Sequence, residues 1–235
     1  MQLERILQKH GFGTRKACRS LIRHEHVAVN GQICDDPFAE IETNGLVFTI
    51  DGVDWPYAEF ACLMLHKPAG YECSRKPLHH PSVLSLLPVQ LRERDVQPIG
   101  RLDEDTTGLL LITDDGQLNH VISSAKRKVP KVYLATTKHS IDQDQIDQLL
   151  GGVLLNDEPE PVAAAACEIV GESLLRLTLT GGKYHQVKRM VAAAGNRVEA
   201  LHRETIGELH LPADLKPGEW RWLSAVDLKK LGYLA

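Results

Sequence analysis

The run Gly108-Leu109-Leu110-Leu111-Ile112-Thr113 is apolar at nearly every position and too short for a helix. It is bounded by Thr106-Thr107 on one side and Asp114-Asp115-Gly116 on the other. That pattern reads as a strand buried on both faces, so whatever surrounds it must cover both. The run CLMLHKP (62–68) has the same character. Around these two, helix and strand signals alternate. A helix starts near Asp114-Asp115 and runs through QLNHVI. KVYLATT is a strand, IDQDQIDQLLGG a helix stopped by glycine, and LLRLTLT a strand with one wet face. YHQVKRMVAAAG (184–195) is a helix closed by Gly195, and further strands lie in NRVEALHRETIGELHL and GEWRWLS. The expected fold is α+β, on a mixed and largely antiparallel sheet.

The first residues are built differently. Leu3, Ile6 and Leu7 share one helical face, and that helix stops at Gly11-Phe12-Gly13. Thr14 can cap a second helix, Arg15 to about Arg23, with Ala17, Leu21 and Ile22 facing inward. Asn30-Gly31 between β-formers predicts a type I′ hairpin. Asn44-Gly45, Asp51-Gly52 and Trp55-Pro56 are turn or breaker signals around one short strand, LVFTI. The boundary between this head and the body is placed near Ala58.

Charge separates the same two regions. Residues 1–34 carry six basic side chains against two acidic ones, a net +4, which leaves −8 for the rest of a chain whose total is −4. A basic head on an acidic body is a charge asymmetry that needs a cause. Arg15, Lys16 and Arg19 lie on the second helix, and the head's resemblance to an S4-type domain makes them candidate RNA contacts.

Other classes are disfavoured. The start, MQLERILQKH, has charges where a signal peptide needs an apolar core, and no run suggests a membrane span, so a cytoplasmic protein is expected. The five cysteines are scattered without a C-x-x-C pair, which supports neither a zinc ribbon nor a disulfide framework. His79-His80 and His24-Glu25-His26 lack ligands at useful spacing and read as surface histidines.

The segment Gly100-Arg101-Leu102-Asp103-Glu104-Asp105-Thr106-Thr107-Gly108 holds the densest chemistry. Carboxylates spaced by one residue beside an arginine suit a metal site, an acid/base pair or a nucleophile held by a cation. An ordinary loop whose aspartates satisfy backbone donors has the same composition.

The helix–turn–basic helix–hairpin head resembles an S4-type RNA-binding domain. GRLDEDTTGLLLITDDG resembles the signature of pseudouridine synthases of the small-subunit ribosomal type. Lys67-Pro68-Ala69-Gly70, Lys131-Val132-Tyr133 and Gly182-Lys183-Tyr184-His185-Gln186-Val187-Lys188-Arg189-Met190 resemble that family's other segments, in order. Pro130 departs from it, since many relatives carry an acidic residue there. The resemblance implies an S4-like domain over 1–58 and a synthase catalytic domain over 59–235. It implies isomerisation of a uridine in RNA to pseudouridine, with no metal or cofactor, by a monomer. Asp103 matches the catalytic aspartate and Tyr133 the tyrosine packed against the target base. Lys188 matches the cation paired with the aspartate.

On a helical wheel, Tyr184, Val187, Met190, Val191 and Ala194 form the apolar stripe, with Lys188 at its edge. His185 and Arg189 then look outward and, with Arg101, are candidate RNA contacts. The H-Q-V-K-R-M form resembles the branch acting on 16S rRNA, or on a small-subunit assembly intermediate. The alternatives are a 23S rRNA enzyme and a non-catalytic ribosome-assembly protein.

Overall fold

The computed structural model describes residues 1–233. Its elements, in chain order, begin with α1 (Leu3–Lys9), α2 (Arg15–Arg23), β1 (Val27–Val29), β2 (Gln32–Ile33), β3 (Val47–Ile50), β4 (Val53–Pro56) and β5 (Cys62–Lys67). Then come α3 (Val89–Glu93), β6 (Gln97–Ile99), β7 (Thr107–Thr113), α4 (Gly116–Ser123), β8 (Lys131–Thr137) and α5 (Gln143–Gly151). The last are β9 (Ala166–Gly171), β10 (Leu174–Leu179), α6 (Gln186–Ala193), β11 (Val198–Ile206), β12 (Leu209–His210), β13 (Trp220–Trp222) and α7 (Ala225–Lys230).

The chain forms two compact units. One comprises Met1–Ala61 with Leu87–Val96, the other Cys62–Leu86 with Gln97–Ala235. The return of Leu87–Val96 to the first unit has no counterpart in the sequence expectations, because a five-residue helix is too short to show a period. Its closeness is visible at Gly11 (φ 79°), where a Cβ would stand 2.0 Å from the Gln90 carbonyl oxygen. Only glycine fits there.

In the first unit, Leu3, Ile6 and Leu7 are buried as the pattern requires, and Thr14 accepts the Ala17 N–H as the α2 cap. Asn30 and Gly31 adopt φ of 50° and 79°, the two positive values of a type I′ turn. Two expectations need correction. Ala17 is exposed, and Cys18, fully buried, takes the inward place. Trp55-Pro56 does not break the chain, since Asp51-Gly52 turns β3 back into β4 and that pair lies within the strand. The resulting sheet has the order β2-β1-β3-β4.

The second unit is built on a mixed sheet, β13-β5-β7-β11-β8-β10-β9, with β12 paired to β11 and β6 to β7. Every pairing is antiparallel except β7–β11. β7 is the buried strand from which the sequence argument began, with Leu109 to Ile112 all fully buried. Leu109, Leu111, Met64, Ile206 and Leu209 pack with Leu118 and Ile122 of α4 on one face. The expected strands and helices of the body are all present. The short β6, the exposed edge strand β9 and the six-residue α7 lacked enough pattern to be seen. Among the described residues Cys18, Cys34, Cys73 and Cys167 are free, and no helix is long and apolar enough to cross a membrane.

Candidate active site

One row of residues crosses five strands of the larger sheet. Lys67 on β5 is in register with Gly108 on β7, Gly108 with Arg203 on β11, Arg203 with Tyr133 on β8, and Tyr133 with Leu177 on β10. Residues directly opposed in neighbouring strands share a face. Gly108 leaves its place in the row, between Lys67 and Arg203, free of a side chain, and a Cβ there would stand 2.3 Å from the Arg203 carbonyl oxygen. The ladder between β8 and β11 shifts register between Arg203 and Thr205, an irregularity common beside active sites.

The loop Gly100–Thr106 enters β7 at the end of this row. Lys67 holds it. Its side chain is fully buried, and Nζ donates to the carbonyl oxygens of Pro68 (3.1 Å), Glu104 (2.9 Å) and Thr106 (2.8 Å). Burial lowers the Lys67 pKa from its usual value, an effect partly offset by nearby Cys73 and the loop carboxylates. The Leu102 N–H donates to Cys73 Sγ (3.4 Å), and the Thr106 N–H closes a turn onto the Asp103 carbonyl (3.1 Å).

These anchors set Asp103 in a half-buried position with a different partner on each carboxylate oxygen. His185 Nε2 lies 3.2 Å from Oδ1, and Lys188 Nζ lies 3.2 Å from Oδ2. Lys188 also donates to both oxygens of Asp105, at 2.7 and 2.9 Å. Burial opposes the Lys188 charge, yet Asp105 and Asp103 outweigh it and raise its pKa. In return Lys188 holds the Asp105 carboxyl below its ordinary range, against the effect of burial. The resemblance pairs Lys188 with Asp103 alone; the structure divides it between two carboxylates, with the shorter contacts to Asp105.

The wheel expectation fails at the start of α6. The helix begins at Gln186, and His185 before it has a left-handed backbone (φ 46°, ψ 35°). The 100° step therefore does not extend back to Tyr184 and His185. Tyr184 is 74% exposed rather than part of the stripe, and His185 turns to Asp103 rather than outward. Val187, Met190, Val191 and Ala194 are buried as expected. Arg189 donates to the Tyr184 carbonyl (3.1 Å) and is paired with Asp157, while Lys183 is paired with Glu158. An acidic loop thus occupies two cations at the margin of the site.

Tyr133 is 9% exposed, and Arg203 opposite it is 2% exposed. The Arg203 Nε donates to the Leu109 carbonyl (2.8 Å), and its Nη2 has no hydrogen-bond partner among the described residues. Lys131, two residues from Tyr133, is pushed down to about 8 by burial and by Arg203. Neither Lys67 nor Arg203 was singled out as a functional side chain from sequence. The signal for Lys67 was its place at the end of a buried strand, where a lysine has to find buried partners. Arg101 is exposed.

In the first unit the basic helix is less free than its charges suggest. Arg19 is paired with Glu4, itself 2% exposed, and lies 5.1 Å over the Phe38 ring. Arg15 Nε donates to Gln8 (3.2 Å), whereas Lys16 is simply exposed.

An anchored loop with a half-buried carboxylate, two cationic or ionisable partners and a buried tyrosine in the adjoining row is a candidate site for chemistry. Residues 61–193 match the RNA pseudouridylate synthase family, and residues 1–43 match the S4 domain. The chain belongs to the RNA pseudouridylate synthase family. It is 38% identical to the ribosomal small subunit pseudouridine synthase A of Vibrio parahaemolyticus, over 95% of this chain and 96% of that one. It is 45% identical to the protein of the same name from Escherichia coli K12, over 70% and 71%. A crystal structure of a pseudouridylate synthase superposes with a TM-score of 0.70 at 34% identity, covering 98% of this chain and 99% of the other.

Proposed function

We propose that the protein converts one uridine of 16S ribosomal RNA to pseudouridine, acting as a cytoplasmic monomer on the RNA or on a small-subunit assembly intermediate. The observation that carries the substrate is near full-length similarity to proteins named for the ribosomal small subunit. The reaction is an isomerisation. The C1′–N1 bond breaks, the base turns, C1′ joins C5, and the hydrogen lost from C5 is balanced by one gained at N1.

In this reading Asp103 is the carboxylate that acts on the extruded nucleotide. Lys188 and His185 hold its two oxygens so that it meets the nucleotide in one orientation. Tyr133 packs against the base, and that contact returns part of the few kcal/mol that unstacking costs. Lys67 maintains the loop. Arg15, Lys16 and Arg101, which are exposed, are assigned to the RNA backbone, with residues 1–58 gathering the RNA.

The test maps pseudouridine across total rRNA from cells with and without the gene, complemented by wild type or Asp103→Asn. Loss of one 16S position, restored by wild type and not by Asp103→Asn, is expected. A lost 23S position would replace the substrate, and full rescue by Asp103→Asn would remove Asp103 from the chemistry.

A further inference from the structure

Tyr184 has no place in the packing of the protein. The ring is 74% exposed, in the residue before the His185 that touches Asp103, and an aromatic surface left open there calls for a partner. One face of the ring already has a partner. The His185 imidazole lies against it with centroids 3.8 Å apart and planes only 17° from parallel. That imidazole in turn places Nε2 3.2 Å from Asp103. The stack is aimed by the left-handed backbone at His185, a conformation that costs a non-glycine residue energy and persists where the surroundings require it. The cations beside the pair are already held by carboxylates: Lys188 by Asp103 and Asp105, and Arg189 by Asp157, with its guanidinium also donating to the Tyr184 carbonyl.

We propose that the Tyr184–His185 stack is a binding subsite for a nucleobase adjacent to the uridine on which Asp103 acts. The proposal rests on the reading of the protein as an RNA-modifying enzyme. A preformed aromatic stack open to solvent suits an unpaired base laid against its free face. It does not suit the target base itself, which must be enclosed. Because every base has a π face, the subsite accepts any base and serves to hold the splayed strand, not to read sequence.

The experiment measures kcat, KM and the dissociation constant for a 16S rRNA transcript with wild type, Tyr184→Ala and Tyr184→Phe. Stacking on one aromatic corresponds to about a ten-fold effect. Tyr184→Ala is expected to raise both KM and the dissociation constant by about that factor, with the loss falling on KM rather than kcat. Tyr184→Phe is expected to restore both, since the ring and not the hydroxyl makes the contact. Unchanged RNA affinity in Tyr184→Ala overturns the subsite, as does a loss confined to kcat or a failure of Tyr184→Phe to rescue. If wild type makes no pseudouridine in the transcript, the reading of the substrate fails, and the dissociation constants alone still decide the subsite.

Discussion

Replacing Lys67 by methionine tests whether the loop bearing Asp103 is held from below. Methionine has nearly the shape of the lysine stem and removes only the ammonium. Three carbonyl oxygens then lose a charged donor, but the one on Glu104 keeps the Gly70 N–H at 2.9 Å. The two on Pro68 and Thr106 are left short, at roughly 1–3 kcal/mol each for a buried unpaired group. Relief from burying a charge, the same effect that lowers the Lys67 pKa, offsets part of this. The expected net loss is about 2–4 kcal/mol of stability in the larger unit. The functional effect is separate. Lys67 is fully buried and cannot touch RNA, so KM should hold while kcat falls by about a hundred-fold, the order expected for a displacement of about 1 Å at a reacting group. Urea unfolding supplies the first number, and pseudouridine formation in a 16S transcript, measured on protein shown to be folded, supplies the second. A folded Lys67→Met protein with wild-type kcat would refute the reasoning, as would a loss confined to KM.

Three further outcomes follow from the geometry. His10 is buried, with Nδ1 on the Ile6 carbonyl (2.8 Å) and Nε2 accepting the Ala58 N–H (3.1 Å), and burial lowers its pKa to about 4. The unfolded chain takes up this proton near pH 6.5 and the folded unit does not. The stability it protects is therefore complete above pH 6.5 and falls as pH drops toward 4, by about 3 kcal/mol. Urea melts of wild type and His10→Gln at pH 7 and pH 4.5 should diverge, and parallel curves would exclude His10 as the cause. Arg19→Ala should destabilise the first unit more than it changes RNA binding, because Glu4 is left buried without its partner. Lys16→Ala should leave stability alone and flatten log K against log salt by about 0.7–0.9; the reverse assignment of effects would exclude this division. Asp157→Asn with Glu158→Gln frees Arg189 and Lys183 and should tighten 16S transcript binding several-fold at low salt. Weaker binding would mean that the acidic loop positions those cations rather than competing with phosphate.

Long, strongly patterned segments declared themselves in the sequence. β7 is visible as an unbroken apolar run, α2 by its cap at Thr14, and the first hairpin by Asn30-Gly31, because each obeys a local rule that needs no knowledge of distant residues. Asp103, Tyr133 and Lys188 were marked out by the resemblance of their segments to a known family's motifs. What the resemblance could not supply was contact. Lys67 meets Glu104 and Thr106 across nearly forty residues, and Lys188 meets Asp103 and Asp105 across more than eighty. His185 was misdirected because a helical wheel assumes a helix, and one left-handed residue rotates everything before it. Local propensity and periodicity therefore decided the elements and the residue types available. Only tertiary structure decided which charges meet and which are already taken, as Arg19 is by Glu4 and Arg189 by Asp157. Those contacts depend on the three-dimensional closeness of segments that no short-range pattern connects.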